Sequence, residues 1–129
     1  MKNALTLQAQ GEYMKSIIFL TVLFASVFAS AAQTRCGWVQ NPTPANNWIT
    51  DKDATWYIGI QGGHQAEGDL AYPPDDQYVY TNGNYGYWCG CITADFNKSN
   101  NYVTKIYSSI TKPLDACRLD PSLDEPFAN

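Results

Sequence analysis

The chain has 129 residues, with eight basic and twelve acidic side chains, a single histidine and a formal net charge of −4. Between Lys52 and Lys98 there is no Lys or Arg, whereas Asp53, Glu67, Asp69, Asp75, Asp76 and Asp95 all fall in that interval. A surface of this sign repels phosphate backbones, so nucleic acid is excluded as an expected partner.

The first element is a leader. "MKSIIFLTVLFASVFASAAQT" opens at Met14 with one positive charge, Lys15, runs apolar from Ile17 to Phe28 and ends in Ala29-Ser30-Ala31. A basic start, a short greasy core and an A-x-A site are the parts of a secretory signal peptide, here with cleavage expected after Ala31. The apolar run is too short for the roughly 20 residues a membrane-spanning helix needs. Gln33-Thr34-Arg35 before Cys36 do not form a lipoprotein box, so no membrane association is expected after cleavage. Residues 1–13 read as an upstream extension or a long signal start. Glu12 sits where a signal prefers positive charge, which favours initiation at Met14. Residues 32–129 then form one domain, in the periplasm or outside the cell. That domain carries six basic and eleven acidic residues, since Lys2, Lys15 and Glu12 lie upstream, for a net charge of −5.

"NPTPANN", Asn41 to Asn47, reads as a proline-bearing loop, because residues before proline are pushed out of regular helix. Trp48–Thr50 and Thr55–Ile60 flank a polar turn and read as a hairpin. Gln61 to Gln77, "QGGHQAEGDLAYPPDDQ", is a long Gly-, Pro- and acid-rich loop, a length that is uncommon without a functional reason. "QYVYTNGNYGYWCGCITADF" is a second hairpin, in which Asn-Gly supplies the positive φ angles of a tight turn. On its second strand Tyr85, Tyr87, Cys89, Cys91 and Thr93 share one face, and Trp88, Ile92, Ala94 and Phe96 the other. Both faces are apolar, which predicts a central strand covered on each side, while Gly86 and Gly90 point to close backbone approach or a bulge. A strand follows from Tyr102 to Ile110, with Tyr102, Ile106 and Ile110 alternating against Val103 and Tyr107. From Lys112 the tail reads as irregular, without a helix. The expected fold is all-β: a small antiparallel meander, curled or partly closed into a barrel.

Four cysteines follow the leader: Cys36, Cys89, Cys91 and Cys117. An even count in a small exported chain reads as a disulfide framework. Zinc sites show paired C-x2-C spacing or several histidines, and thioredoxin-like centres need C-x-x-C; the chain has C-x-C. Cys89 and Cys91 lie on one face of an extended strand, nearly 7 Å apart, at the limit of a disulfide's reach. The expectation is therefore that one of the two bonds Cys36 and the other Cys117. The closed loops, about 54 and 27 residues, correspond to roughly 4 and 3.5 kcal/mol in the chain-entropy description.

Together the strings "RCGW", "NPTPANNW", "QGG", "TNGNYGYWCGC" and "PLDACRLDP" resemble a family of small secreted bacterial proteins known as domain of unknown function 4087. The resemblance spans Arg35 to Pro121. It implies export and the four-cysteine layout, and it carries over no catalytic residue and no ligand.

His64 with Glu67, Asp69, Asp75 and Asp76 has the chemistry of a metal site, calcium before zinc, but acids in a glycine-rich loop are commonly just solvated. Paired carboxylates could serve glycoside hydrolysis, although a domain this small offers little cleft. Nucleophilic catalysis needs an activated Ser or Cys beside a base, and oxidised thiols with one histidine do not supply it. No cofactor and no metal are expected. The preferred reading is a non-enzymatic binding protein, an inhibitor or immunity-type partner of an extracytoplasmic enzyme or toxin, with Gly62, Gly63, His64, Glu67, Asp69, Asp75 and Asp76 facing a protein partner. The alternative is a carbohydrate or cell-wall binding module using Trp38, Trp48, Trp56, Trp88 and the tyrosines of "NGNYGY". Exposed coplanar rings would favour sugar, and buried rings beside an acidic loop would favour protein.

Overall fold

The computed structural model describes residues 31–128. The expectations for the leader, the start codon and the cleavage point therefore lie outside the described residues. The strands are β1 (Gln33–Thr43), β2 (Asn46–Thr50), β3 (Thr55–Gly59), β4 (Val79–Asn82), β5 (Tyr85–Asn97) and β6 (Tyr102–Lys112), followed by a short helix α1 (Leu114–Arg118). β1 pairs with β2 along one edge and with β5 along the other, β2 pairs with β3, and β6 pairs with β5. β3 meets β6 in parallel at Tyr57 and Tyr102. The order β1-β2-β3-β6-β5 thus returns to its start, with β4 added to the β5 edge. The curled, partly closed barrel expected from the sequence is present. It is not a plain antiparallel meander, because the closing step is parallel and β1 pairs across the ring.

Two stretches depart from the expected elements for identifiable reasons. Asn41–Asn47 is no loop: β1 runs through Pro42, where the β1–β2 register shifts between Gln40 and Thr43, and only Pro44 and Ala45 turn the chain. A bulge tolerates a residue without a ladder donor, and Ala45 takes the turn's positive φ of 62°. In the β4–β5 hairpin Asn82 pairs with Tyr85, so the turn residues are Gly83 and Asn84, with positive φ at Gly83 alone. Glycine first is the arrangement of a type II′ turn.

β5 organises both layers of packing. Trp88, Ile92 and Ala94 face the barrel interior with Val39, Ile49, Trp56, Ile58, Val103 and Ile106. Tyr87 and Cys89 face outward, where Trp38, Leu114 and Cys117 complete a second cluster. The strand is central and covered on both faces, as its pattern requires. Gly86 is dictated by space: a Cβ there would lie 1.9 Å from the Val79 carbonyl oxygen of β4. On β6 the simple alternation fails. Register shifts at Thr93/Ala94 and Asp95/Phe96 leave Tyr107 and Thr104 as extra residues, so Val103 and Ile106 both point inward. The tail is also more regular than expected, since α1 packs Leu114 and Cys117 on the outer face.

The disulfides are Cys36–Cys91 and Cys89–Cys117. The first joins directly opposed residues of β1 and β5, and the second fastens α1 to β5. Both chain extremities are tied to one strand. The sequence had left the two pairings open, and the β1–β5 register decides between them.

Near the start of β1 the Arg35 guanidinium lies over the Trp56 and Phe96 rings, 4.2 and 4.9 Å from their centroids. It also donates to Asp51 at 2.7 Å and to Asp53 at 3.1 Å. Asp51 is buried and accepts as well from the Trp56 indole and the backbone N–H groups of Asp53 and Ala54. This knot holds β1, the β2–β3 turn and β5 together.

Candidate functional site

The segment from Ile60 to Tyr78, expected as a free loop, is built into the barrel over much of its length. It begins with a turn in which Gly63 N–H donates to the Ile60 carbonyl and Ile60 N–H to the His64 carbonyl. Gly62, at φ 77°, supplies the left-handed residue that turn requires. Ala66 N–H then donates to Ile58 of β3, Glu67 N–H to Thr104 of β6, and Ile106 N–H to the Glu67 carbonyl. Residues 65–67 thus fill the gap where β3 and β6 diverge, antiparallel to one and parallel to the other. Gly68, at φ 95°, passes so close to β6 that a Cβ would lie 2.4 Å from the Ile106 carbonyl oxygen. Ala71 N–H donates to Ser109 Oγ at 2.9 Å.

The segment then crosses the barrel mouth. Tyr72 and Tyr78 both lie on the buried Trp88, with centroids 4.8 and 5.4 Å away. A short 3-10 turn, Asp75–Gln77, follows, and Gln77 Oε1 accepts from the Leu114 N–H at 2.8 Å, which joins the segment to α1. Tyr80 of β4 donates its hydroxyl to Asp75, and that bond raises the Tyr80 pKa above its ordinary value.

The proposed site residues are therefore spread along this path. Gly62 and Gly63 are exposed at the first turn. His64 is committed to structure: Nε2 donates to the Val103 carbonyl at 2.7 Å and the ring stacks on Tyr102 at 4.4 Å. Glu67 and Asp69 lie exposed beside β6, and Asp75 and Asp76 sit exposed beside β4. Among the described residues no three His, Cys, Asp or Glu side chains converge to hold a metal ion. The ion pairs found there involve Arg35 and Arg118, so Glu67, Asp69, Asp75 and Asp76 have no basic partner within the described residues.

The aromatic candidates divide as well. Trp38, Trp56 and Trp88 are core side chains. Trp48 is half-buried on the outer face of β2, edge-on to Tyr57 of β3, which is in turn edge-on to Tyr102 of β6. The interplanar angles are 66° and 79°, so these rings form no flat platform.

The sequence did not mark two features. One is a cleft of about 230 Å³ at the barrel mouth, lined by Asn47, Ile58, Leu70, Ile106, Asp69 and Tyr72 among others. The other is the Arg35–Asp51 knot, which bounds an open hollow of about 520 Å³ together with Asp120 and Ser122. Each depends on long-range pairing that no local pattern announces. No described helix is long and apolar enough to cross a membrane.

A family model described as a protein of unknown function (DUF4087) matches residues 30–124. No curated protein and no solved structure matches the chain.

Proposed function

The chain belongs to the DUF4087 family of proteins of unknown function, and we propose that it is a non-enzymatic binding protein of the extracytoplasmic space that engages a basic protein surface. An inhibitor or immunity-type partner of an exported enzyme or toxin is the form this takes. The observation that carries the reading is the 60–78 segment itself. Its backbone is hydrogen-bonded to β3 and β6 and its Gln77 side chain to α1, yet it holds Glu67, Asp69, Asp75 and Asp76 exposed and without basic partners among the described residues. Fixed carboxylates without a basic partner speed encounter with a basic surface and set its register. Little ordering entropy is lost on binding when the segment is already in place. Two disulfides are compatible with export.

The test is affinity capture from an envelope extract, with the natural chain beside a variant carrying Glu67→Gln, Asp69→Asn, Asp75→Asn and Asp76→Asn. The variant is expected to lose at least 90 per cent of the specific partner, as several lost rim and anchor charges would require. Full retention of every captured protein would remove the assignment.

A carbohydrate-binding module remains a second reading, favoured by one observation. One class of five-stranded, partly open Greek-key barrel binds oligosaccharides on the face of its second and third strands, and Trp48 and Tyr57 stand on β2 and β3 here. Against it stand the edge-on rings and the burial of the other three tryptophans.

A further inference from the structure

We propose that the cleft at the barrel mouth is an anchor pocket for a lysine or arginine side chain of the basic partner. The inference rests on the protein-binding reading above and names the contact at its centre. The cleft, about 230 Å³, has walls of Ile58, Leu70 and Ile106 and a rim formed by Asp69 and Tyr72. That combination matches a long cationic side chain, whose methylene stem seeks apolar surface while its head seeks charge and hydrogen-bond acceptors.

Three further observations point the same way. Asp69 has no basic partner among the described residues, and no Lys or Arg between positions 52 and 98 can fill the cleft from within its own segment. Tyr72 is 58% exposed, and among the described residues no cation lies over its ring. By contrast Tyr107, 55% exposed on β6, already has the Lys105 ammonium 5.2 Å from its centroid. Tyrosine faces attract ammonium and guanidinium groups within about 6 Å, and Tyr72, packed on Trp88 yet 58% exposed, offers a cation the rest of its ring. Finally, the side-chain oxygen of Asn47, which helps line the cleft, is enclosed and accepts no hydrogen bond from the described residues. Buried acceptors are normally paired, and turning this amide toward the cleft would give it an entering N–H donor.

A neutral sugar would bring the exposed Asp69 carboxylate no countercharge, and an apolar side chain would bring neither acceptor a donor. A cation answers the whole set.

The experiment is a titration of the oxidised protein, followed through its backbone amide resonances, with acetyl-Gly-Arg-Gly-amide, its lysine counterpart and its citrulline counterpart. Citrulline keeps the shape of arginine without the charge. The expected result is saturable shifts at Asn47 and at residues 69–72 with the arginine or lysine peptide, and at least tenfold weaker binding of the citrulline peptide. Asp69→Asn and Tyr72→Ala are each expected to weaken the cationic peptides at least fivefold, while resonances away from the substituted side chain, and for Tyr72→Ala away from the Trp88 ring it packs on, stay in place. Absence of saturable shifts, equal response to citrulline, or indifference to both substitutions overturns the proposal. Failure of the broader reading looks different: if no envelope protein is captured while the peptides still fill the cleft, the pocket stands without that partner. If capture depends on Glu67, Asp75 and Asp76 but not on Asp69 or Tyr72, the partner stands and the pocket falls.

Discussion

Replacing Cys36 and Cys91 together by alanine is expected to lower stability by about 4 kcal/mol. The bond closes 55 residues of sequence, and without it the unfolded chain regains the freedom of that loop. For a domain of this size each kcal/mol moves the melting temperature by roughly 4–8 °C, so a fall of roughly 15 °C or more should be seen. Removing Cys89 and Cys117 releases a shorter loop, a separation of 28, which in the same description is worth about 3.5 kcal/mol. The second loss also uncovers packed surface, because Cys117 and Leu114 cover Trp38 and Tyr87 on the outer face. The two double variants should therefore differ in kind. The first should unfold as a weakened but intact cooperative unit. The second should show early exposure of Trp38 on the fluorescence trace. Urea unfolding of both variants measures the effect, and a loss under about 1 kcal/mol in each would mean that the ring stands without its staples.

Asp51→Asn is the substitution expected to cost most among the charged residues, about 3 kcal/mol at neutral pH. Asp51 and Arg35 have side chains 5% and 12% exposed, and they meet at 2.7 Å. Asparagine keeps the shape but presents an uncharged amide to a guanidinium already enclosed by Trp56 and Phe96. Breaking one side of a buried pair leaves the other charge poorly compensated, and here Arg35 would keep only the exposed Asp53 carboxylate at 3.1 Å. The same site gives the protein a pH dependence. Burial alone pushes the Asp51 carboxyl up, but hydrogen bonds from Arg35, the Ala54 and Asp53 N–H groups and the Trp56 indole together outweigh it and hold the group below its ordinary value of 3.8. A carboxyl with a depressed folded-state pKa contributes stability that is complete above its unfolded value and is lost as pH falls through the folded one. Stability measured by urea unfolding should therefore be level from neutral pH down to about 5 and drop below about 4. In Asp51→Asn that acid limb should be shallower. An acid limb of unchanged steepness in the variant would locate the pH response elsewhere.

What the sequence revealed and what it hid follow from the range of the interactions involved. β5 was readable because its information is local: two apolar faces in strict alternation and glycines where β4 and β6 approach. The cysteine framework was readable down to two pairings, since only the opposition of Cys36 and Cys91 across β1 and β5 separates them. β1 was hidden because Pro42 and Pro44 imitate a loop, and the bulge that accommodates Pro42 exists only once β2 has paired. The inward turn of both Val103 and Ile106 was hidden for a related reason, as the register shifts opposite Tyr107 and Thr104 are properties of the pair of strands. At the candidate site the acidic residues and their lack of nearby bases were visible in the sequence. Their spread along β6 and β4 was not, nor was the use of His64 as a structural donor to Val103. Asn47 and Tyr72 gave no signal, because the cleft they line forms only where the 65–72 strap crosses the barrel mouth.

The candidate site requires that strap to be part of the barrel. Backbone amide hydrogen exchange reads this directly at Ala66, Glu67 and Ile106, whose N–H groups link β3, the strap and β6. These three amides are expected to exchange as slowly as those of the paired β5–β6 ladder, opening only with global unfolding. Exchange at Ala66 and Glu67 as fast as at the exposed Gly62–Gly63 turn would mean that the acids ride on a free loop, and would contradict that placement.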